Sequence, residues 1–410
     1  MTSTVVKWEP LKGIRVVDLT HVIAGPTATQ LLSDLGAEVI KVERPGVGDT
    51  ARENAFLGPS MFVATNRNKK SVTLDLTKPA GQEVLMKLVG ESDVLVENMA
   101  PGDAEKFGIT YERLIQSNPR LIYASIESFG AGPYEKLPAF DPVVEAMTGL
   151  MSVTGFPPDH YARIGSSVLD TVAGALASTA IIAALYGTDN GRGGFRVKVS
   201  LGDAGLFATS YWLPYYKKYG KVPLPVGSGL QTHAPYQLFK TRNGHIYVTV
   251  TNDNQWKRFC DALGFADLYA DERYTTTENR TRRKTELEAE LGARFASLDT
   301  KEVFEKLLAA RVPAGPLYTM KEIFEDPHFK QRGIFRECVL DGQRYWVAGS
   351  PINVTKAREG APPDKLPTLG GDTVEVLSTI LGLSTKEIDL LRRERVIGTP
   401  AEKPGLVKQP

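Results

Sequence analysis

One segment restricts the fold more than any other: LKGIRVVDLTHVIAGPTATQLLSDLGAEVIKVERPGVGD, residues 11–49. Ile14–Leu19 is a short apolar run that reads as a buried strand. Pro26 suits the opening of a helix, where its missing N–H is not needed. Leu31, Leu32 and Leu35 give that helix one apolar face, and Gly36 can adopt the left-handed conformation that ends it. Glu38–Glu43 reads as a second strand, stopped by Pro45 and Gly46. Strand, loop, helix and strand within about 30 residues predict a parallel βαβ unit. Sheets built from such units bind ligands beyond the carboxyl ends of their strands. Two polar, glycine-containing loops hold those positions here, Thr20–Gly25 and Arg44–Asp49.

The alternation continues. Ser71–Leu76, Asp93–Glu97 and Leu121–Ile126 read as strands, and Lys78–Val89 and Tyr111–Ser117 as helices. The fold class expected is α/β: a doubly wound, Rossmann-like parallel-sheet large domain with a smaller α+β domain. Asp141–Met151 and Asp170–Tyr186 read as helices, the second apolar on nearly all sides and therefore buried. Phe195–Ser200 reads as a strand, followed by an aromatic helical stretch to Tyr219. Residues 220–231, GKVPLPVGSGLQ, have linker composition. Beyond them, Pro235–Lys240 and His245–Val250 read as a hairpin around Asn243–Gly244. Helical segments follow, with a second break near Val312–Pro316 or after Asp326–Pro327. The expected division is a large domain over 1–220, a small α+β domain over 232–326, and a C-terminal segment, 334–410, returning to the large domain.

Composition excludes several function classes. At 410 residues the chain exceeds the usual single core, and its formal net charge of +1 with no basic tract argues against nucleic-acid binding. Cys260 and Cys338 are the only cysteines, too few for a disulfide framework or a zinc site. The five histidines are scattered without ligand spacing, so no metal centre is expected. The N-terminal MTSTVVKWEP lacks a signal-peptide core, and Val172–Leu185 is short for a bilayer span. A cytoplasmic protein with no membrane partner is the expectation.

Asp170, in GSSVLDTVAGALAS, has two readings. It could cap the following helix, or act as a nucleophilic carboxylate beside small residues that admit a ligand. Gly46–Asp49 fails as a dinucleotide fingerprint, since no third glycine is correctly spaced. Arg44, Lys69, Lys70 and Lys106 lie at or after strand ends, where they could hold phosphates or be solvated rim charges. Asn98 could read an adenine edge or cap a turn, and His21 sits in the loop after the first strand.

Taken in order, several segments form a pattern. They are L-x-G-I-x-V-x-D-x-T-H-V-x-A-G-P, G-A-E-V-I-K-V-E-R-P-G-x-G-D, N-R-N-K-K-S, D-V-L-V-E-N and N-P-R-L-I-Y-A-S-I, then Gly-Arg-Gly, A-P-Y-Q-x-F-x-T and V-P-A-G-P. The chain resembles the class III CoA-transferases, the family of formyl-CoA transferase and L-carnitine CoA-transferase, over nearly its whole length. The resemblance implies CoA transfer from an acyl-CoA donor to a free carboxylic acid, through an aspartyl anhydride and an aspartyl-CoA thioester. Coenzyme A is then a substrate, and no permanently bound cofactor is implied. Asp170 aligns with the family nucleophile, after the M-S-x-T-G segment at Met151–Gly155. Arg44, Asn98, Met99 and Lys106 fall on positions that contact the CoA nucleotide. His21, Val22 and Ala24 fall on the loop lining the thioester end. N–H groups at the start of the Asp170 helix and in Gly227-Ser228-Gly229 are the expected oxyanion donors, and that glycine segment is either a lid or a hinge. Lys106 stands where formyl-CoA transferase carries Arg. Ile23 (Gln there), the short Gly227-Ser228-Gly229 (a longer glycine loop there) and Glu127 (Lys there) speak against formyl-CoA and oxalate as the pair; small dicarboxylates fit the wider family, and these residues themselves specify no acid. The family pattern also implies an interlocked homodimer. The rival readings are an α-methylacyl-CoA racemase, against which Phe140 stands where that branch has histidine, and a non-catalytic acyl-CoA-binding subunit.

Overall fold

Six parallel strands frame the larger of two units in the computed structural model, which describes residues 8–54, 56–189, 191, 193–352 and 364–398. They are β1 Arg15–Asp18, β2 Glu38–Glu43, β3 Lys70–Thr73, β4 Val94–Glu97, β5 Ile122–Glu127 and β6 Phe195–Ser200. The spatial order is β3-β2-β1-β4-β5-β6, with Val17 opposite Ile40 on one side and Leu95 on the other. Strand order reverses between β1 and β4, which opens a crevice beyond their carboxyl ends. The unit takes in the described residues of Met1–Leu150, Ile164–Lys217 and Arg332–Pro410.

Successive strand residues point to opposite faces, so the sheet feeds two cores. Val17, Ile40, Val72 and Leu95 pack against Val84, Leu85 and Leu88 of helix Pro79–Gly90 and against Val376 and Ile388 near the C-terminus. Val16, Val39, Val94 and Ile122 pack against α1, Ala24–Asp34, and α3, Val168–Asp189. The edge strand β3 is closed off by the returning chain: Ser71 N donates to Asp372 (2.7 Å) and Thr73 N to Thr373 (3.1 Å). That cover removes an exposed edge on which another chain could pair.

Several boundaries differ from expectation. α1 opens at Ala24, so Pro26 is its third residue. β3 ends at Thr73, because the backbone beyond it turns to bond the C-terminal segment through Asp75 N and Val396 O. The Asp141 helix, α2, stops at Met147, and Met151–Val153 forms a separate single turn. α3 is longer at both ends than its apolar run, so Asp170 is its third residue rather than its cap. Nor is α3 buried all round. Its length and composition would suit a membrane span, yet Leu169, Ala173, Ala177 and Ile181 fill the sheet core while Thr171, Ala175, Thr179 and Tyr186 are exposed.

The second unit comprises Met151–Arg163 and Lys218–Gln331. Its antiparallel sheet pairs Tyr236–Lys240 with His245–Thr249 and the latter with Ala314–Pro316. The stretch considered for a chain break at Val312–Pro316 is therefore inside this sheet. Trp256, Phe259, Leu291 and Phe295 form its core. The hairpin closes through a Thr241 N to Gly244 O bond, and neither Asn243 nor Gly244 is left-handed. The Asn243 carboxamide instead accepts from Thr300 N (3.0 Å) at the start of helix Thr300–Ala309. Residues 227–230 form no free flap: Gly227 N donates to Gly155 O (2.7 Å), Tyr247 Oη to Ser228 O (2.6 Å) and Lys284 Nζ to Leu230 O (2.6 Å). Arg192 of the Gly-Arg-Gly motif lies outside the described residues.

Candidate active site

The loop that leaves β1 enters the crevice between β1 and β4, and side chains from three strand ends grip it. Asp18 Oδ1 accepts from Thr20 N (2.9 Å) and Thr20 Oγ1 (2.5 Å). From β4, Asn98 Oδ1 accepts from His21 N (2.9 Å), and Asn98 Nδ2 donates to His21 O (3.0 Å). From beyond β2, Asp49 Oδ1 accepts from Val22 N (3.2 Å). Val22 sits at φ +66°, a left-handed conformation that a β-branched residue rarely adopts. Burial holds the half-buried His21 imidazole below its usual pKa, and hence neutral near pH 7. Ala24 then starts α1, and no side chain caps the helix at Ile23. An uncapped helix start carries partial positive charge and suits an anion.

Buried charges support this loop from below. Lys41 Nζ, fully buried, pairs with Asp49 Oδ2 (3.0 Å) and donates to Thr20 O (2.7 Å). Burial alone would pull the Lys41 pKa down, but Asp18, Asp49 and Glu43 lift it above its usual value. Lys69 is not a phosphate ligand. Its ammonium is buried and spent on Asp18 (2.9 Å), Thr29 (2.8 Å), Asn66 (2.8 Å) and Pro26 O (3.2 Å), and burial brings its pKa down to about 8. Lys70 pairs with Glu38 (3.0 Å) and Glu375 (2.9 Å) at the sheet edge. A strand-end lysine in sequence carries no sign of which acidic residues the fold will place beside it.

Asp170 presents a different environment. Of its two readings the capping one falls to Asp141, the first residue of α2, Asp141–Met147: Asp141 Oδ2 accepts from Leu169 N (2.7 Å) and Asp170 N (3.1 Å). The remaining early N–H groups of α3 are also taken, Val168 N by Ser166 O and Thr171 N by Ser167 O. Those N–H groups, and those of Gly227 and Gly229, are therefore not free oxyanion donors. The Asp170 carboxylate has no hydrogen-bond partner among the described residues. Burial first, and the neighbouring Asp141 charge second, push its pKa up to about 7. One turn further along the same face, Gly174 lets α1 approach: a Cβ there would lie 2.5 Å from Ala24 O and 2.8 Å from Thr27 Cβ. This close crossing ties the start of α1, and with it the loop, to the helix that carries Asp170.

The remaining candidates lie at or after the carboxyl ends of β2, β4 and β5. Arg44 is exposed after β2, and its carbonyl accepts from Gly48 N (2.9 Å). Met99 follows Asn98, packs its side chain on the sheet core and donates its N–H to Glu97 (2.8 Å). Lys106 is on the short helix Asp103–Lys106, exposed and paired with Asp103 (2.6 Å). Glu127 is paired with Lys198 (2.7 Å), so its charge is compensated. Sequence reading passed over Glu97. It is buried at the end of β4, bonded to Tyr123 Oη (3.1 Å), and burial raises its pKa to about 7. Among the described residues no group of three or more His, Cys, Asp or Glu is placed to hold a metal ion.

Comparison with known proteins gives a consistent picture. The family model described as CoA-transferase family III matches residues 11–373. A succinate–glutarate CoA-transferase of Agrobacterium fabrum is 34% identical, over 82% of this chain and 86% of that protein. A formyl-CoA:oxalate CoA-transferase of Streptomyces avermitilis is 35% identical, over 94% of this chain and 99% of that protein. The crystal structure of a CaiB/BaiF family protein from Brucella suis superposes with a TM-score of 0.81 at 32% identity, over 90% of this chain and 99% of the other.

Proposed function

The chain belongs to CoA-transferase family III, and on that premise we propose that Asp170 is its nucleophile. The enzyme moves CoA between an acyl-CoA thioester and a free carboxylic acid. In our reading an Asp170 oxygen attacks the donor's acyl carbon, the C–S bond breaks, and CoA thiolate leaves a mixed anhydride. The thiolate then attacks the Asp170 carbonyl carbon, releasing the donor's carboxylate and leaving an aspartyl-CoA thioester. The acceptor carboxylate attacks that thioester and the two steps run in reverse. No proton has to move in any of them, so the sequence needs no general base beside Asp170. The observation that carries the assignment is a carboxylate without a hydrogen-bond partner among the described residues, on a rigid helix where a second carboxylate, Asp141, takes the N–H groups of Leu169 and Asp170.

We assign the acids to the small dicarboxylates, the class in the names of several relatives. Arg44, Asn98, Met99 and Lys106 serve the CoA nucleotide in this reading, and His21, Val22 and Ala24 the thioester end. In this reading two copies form the interlocked homodimer; the exposed Tyr211, Leu213 and Tyr216 of the larger unit support a partner surface. Phe140, exposed where a racemase needs histidine, cannot carry a proton. One experiment tests the activity: succinyl-CoA, glutaryl-CoA and a 2-methylacyl-CoA are incubated with free dicarboxylates in D2O, and products are weighed by mass spectrometry. New acyl-CoA species without α-deuterium are expected. α-Deuterium without transfer would establish the racemase instead.

Two further results are expected. Since only ionised Asp170 attacks, kcat/KM for the donor falls about tenfold per unit as pH drops below roughly 7, and levels off above it. A flat profile between pH 5 and 7 would remove Asp170 from this step. Lys106→Ala raises KM for acyl-CoA donors about tenfold, the loss of a charge-assisted phosphate contact. Steady-state kinetics with two donors check this, since an effect confined to the free acid would place Lys106 elsewhere.

A further inference from the structure

Val22 combines two costs that a chain does not carry without return. A β-branched residue in the left-handed region is strained. The residues that keep it there include a buried ion pair, itself weak grounds for stability. Asp49 Oδ1 accepts from Val22 N (3.2 Å) and Ala51 N (2.9 Å), while Oδ2 faces Lys41, which bonds Thr20 O on the other side of His21. Asn98 takes both backbone groups of His21 with the two ends of its carboxamide. Consecutive amides are thus fixed by side chains from two strand ends, in the crevice where the strand order reverses.

We infer that Asp49 and Asn98 are positioning residues for the acyl-CoA donor: they hold Val22 left-handed, so the His21–Ala24 loop keeps one preformed shape. This rests on the reading that the loop lines the thioester end, and it changes the role of Asn98. With its carboxamide engaged at both ends, Asn98 acts on coenzyme A through His21 rather than through an adenine edge. Preorganisation of this kind raises affinity by removing the ordering cost from the binding step. Neither side chain takes part in the bond changes, so its loss weakens donor binding and leaves the acceptor acid's KM unchanged.

The test measures coenzyme A binding by calorimetry together with KM for donor and acceptor, on the full-length protein. Asp49→Ala and Asn98→Ala weaken coenzyme A binding and raise donor KM about tenfold, with acceptor KM unchanged. Asp49→Asn, which keeps an acceptor for Val22 N, restores most of the affinity. Val22→Gly covers the case in which the alanine variants fail to fold: glycine is unstrained at this φ, so the variant melts no lower than wild type yet binds coenzyme A several-fold more weakly. Wild-type coenzyme A affinity in folded Asp49→Ala or in Val22→Gly overturns the inference, as does an equal rise of both KM values. A wild-type protein that binds coenzyme A but transfers none would fail the functional reading alone, since the calorimetric comparison stands without turnover.

Discussion

Asp170→Ala folds and loses CoA transfer by about three orders of magnitude or more, the scale on which removal of a covalent nucleophile is felt. The expectation follows from chemistry: without that carboxylate there is no anhydride and no enzyme-bound thioester. Wild-type protein incubated with donor and hydroxylamine should be modified at Asp170, which peptide mass spectrometry can locate. Modification at another residue, or a substantially active alanine variant, would sink the assignment. Asp170→Asn adds a thermodynamic signature. The native carboxyl has a pKa of about 7 against 3.8 when unperturbed. Between those values the unfolded chain has released the proton while the native chain holds it. Stability therefore falls as pH rises through that window, and the deficit is complete above about 7. Asparagine removes it, so Asp170→Asn is more stable than wild type by something on the order of 2–4 kcal/mol at pH 8, with the gain fading toward pH 4. Melting temperatures at the two pH values check this. An inactive variant that is also stabilised is the mark of a site that holds a strained charge for function.

Local order was legible where punctuation is local. β2 runs from Glu38 to Glu43 as read, because Gly36 and Pro45 bracket it, and helix Tyr111–Ser117 begins where Thr110 caps it. The crevice was legible too, since a βαβ pattern fixes which loops follow strand ends. What the sequence could not reveal are pairings across long separations. Asp141 caps α3 from 28 residues away, so from the residues alone a capping role for Asp170 stayed open beside the nucleophilic one. Lys69 and Lys106 look alike as strand-end cations, but one is buried and paired with Asp18, 51 residues distant, while the other stays exposed beside Asp103. The Asn243–Gly244 pair announces a hairpin correctly, but its side-chain amide is drawn to helix Thr300–Ala309, and the turn adopts no left-handed residue. Val22 gives no signal at all, because its conformation is imposed by Asp49 and by the Asn98 grip on its neighbour.

Asp141 separates position from charge, and its two substitutions should therefore diverge. It is 1% exposed; Oδ2 holds Leu169 N and Asp170 N, and Oδ1 is buried without a hydrogen-bond partner among the described residues. Asp141→Ala strands two N–H groups at the start of α3 and costs about 2–4 kcal/mol, from the lost cap and the unpaired donors. With the first turn of α3 free to move, the Asp170 carboxylate loses its fixed place, and kcat falls about a hundredfold. Asp141→Asn keeps an acceptor for the same two N–H groups and removes the negative charge. The Asp170 carboxyl then titrates lower, though only in part, because burial is the larger cause of its raised pKa. The acid limb of the kcat/KM profile consequently moves to lower pH, and at pH 6 this variant retains a larger share of its plateau rate than wild type does. Profiles of the two proteins from pH 5 to 8 provide the measurement. If the limb of Asp141→Asn coincides with that of wild type, the group titrating there is not Asp170, and the nucleophile's charge is controlled from elsewhere.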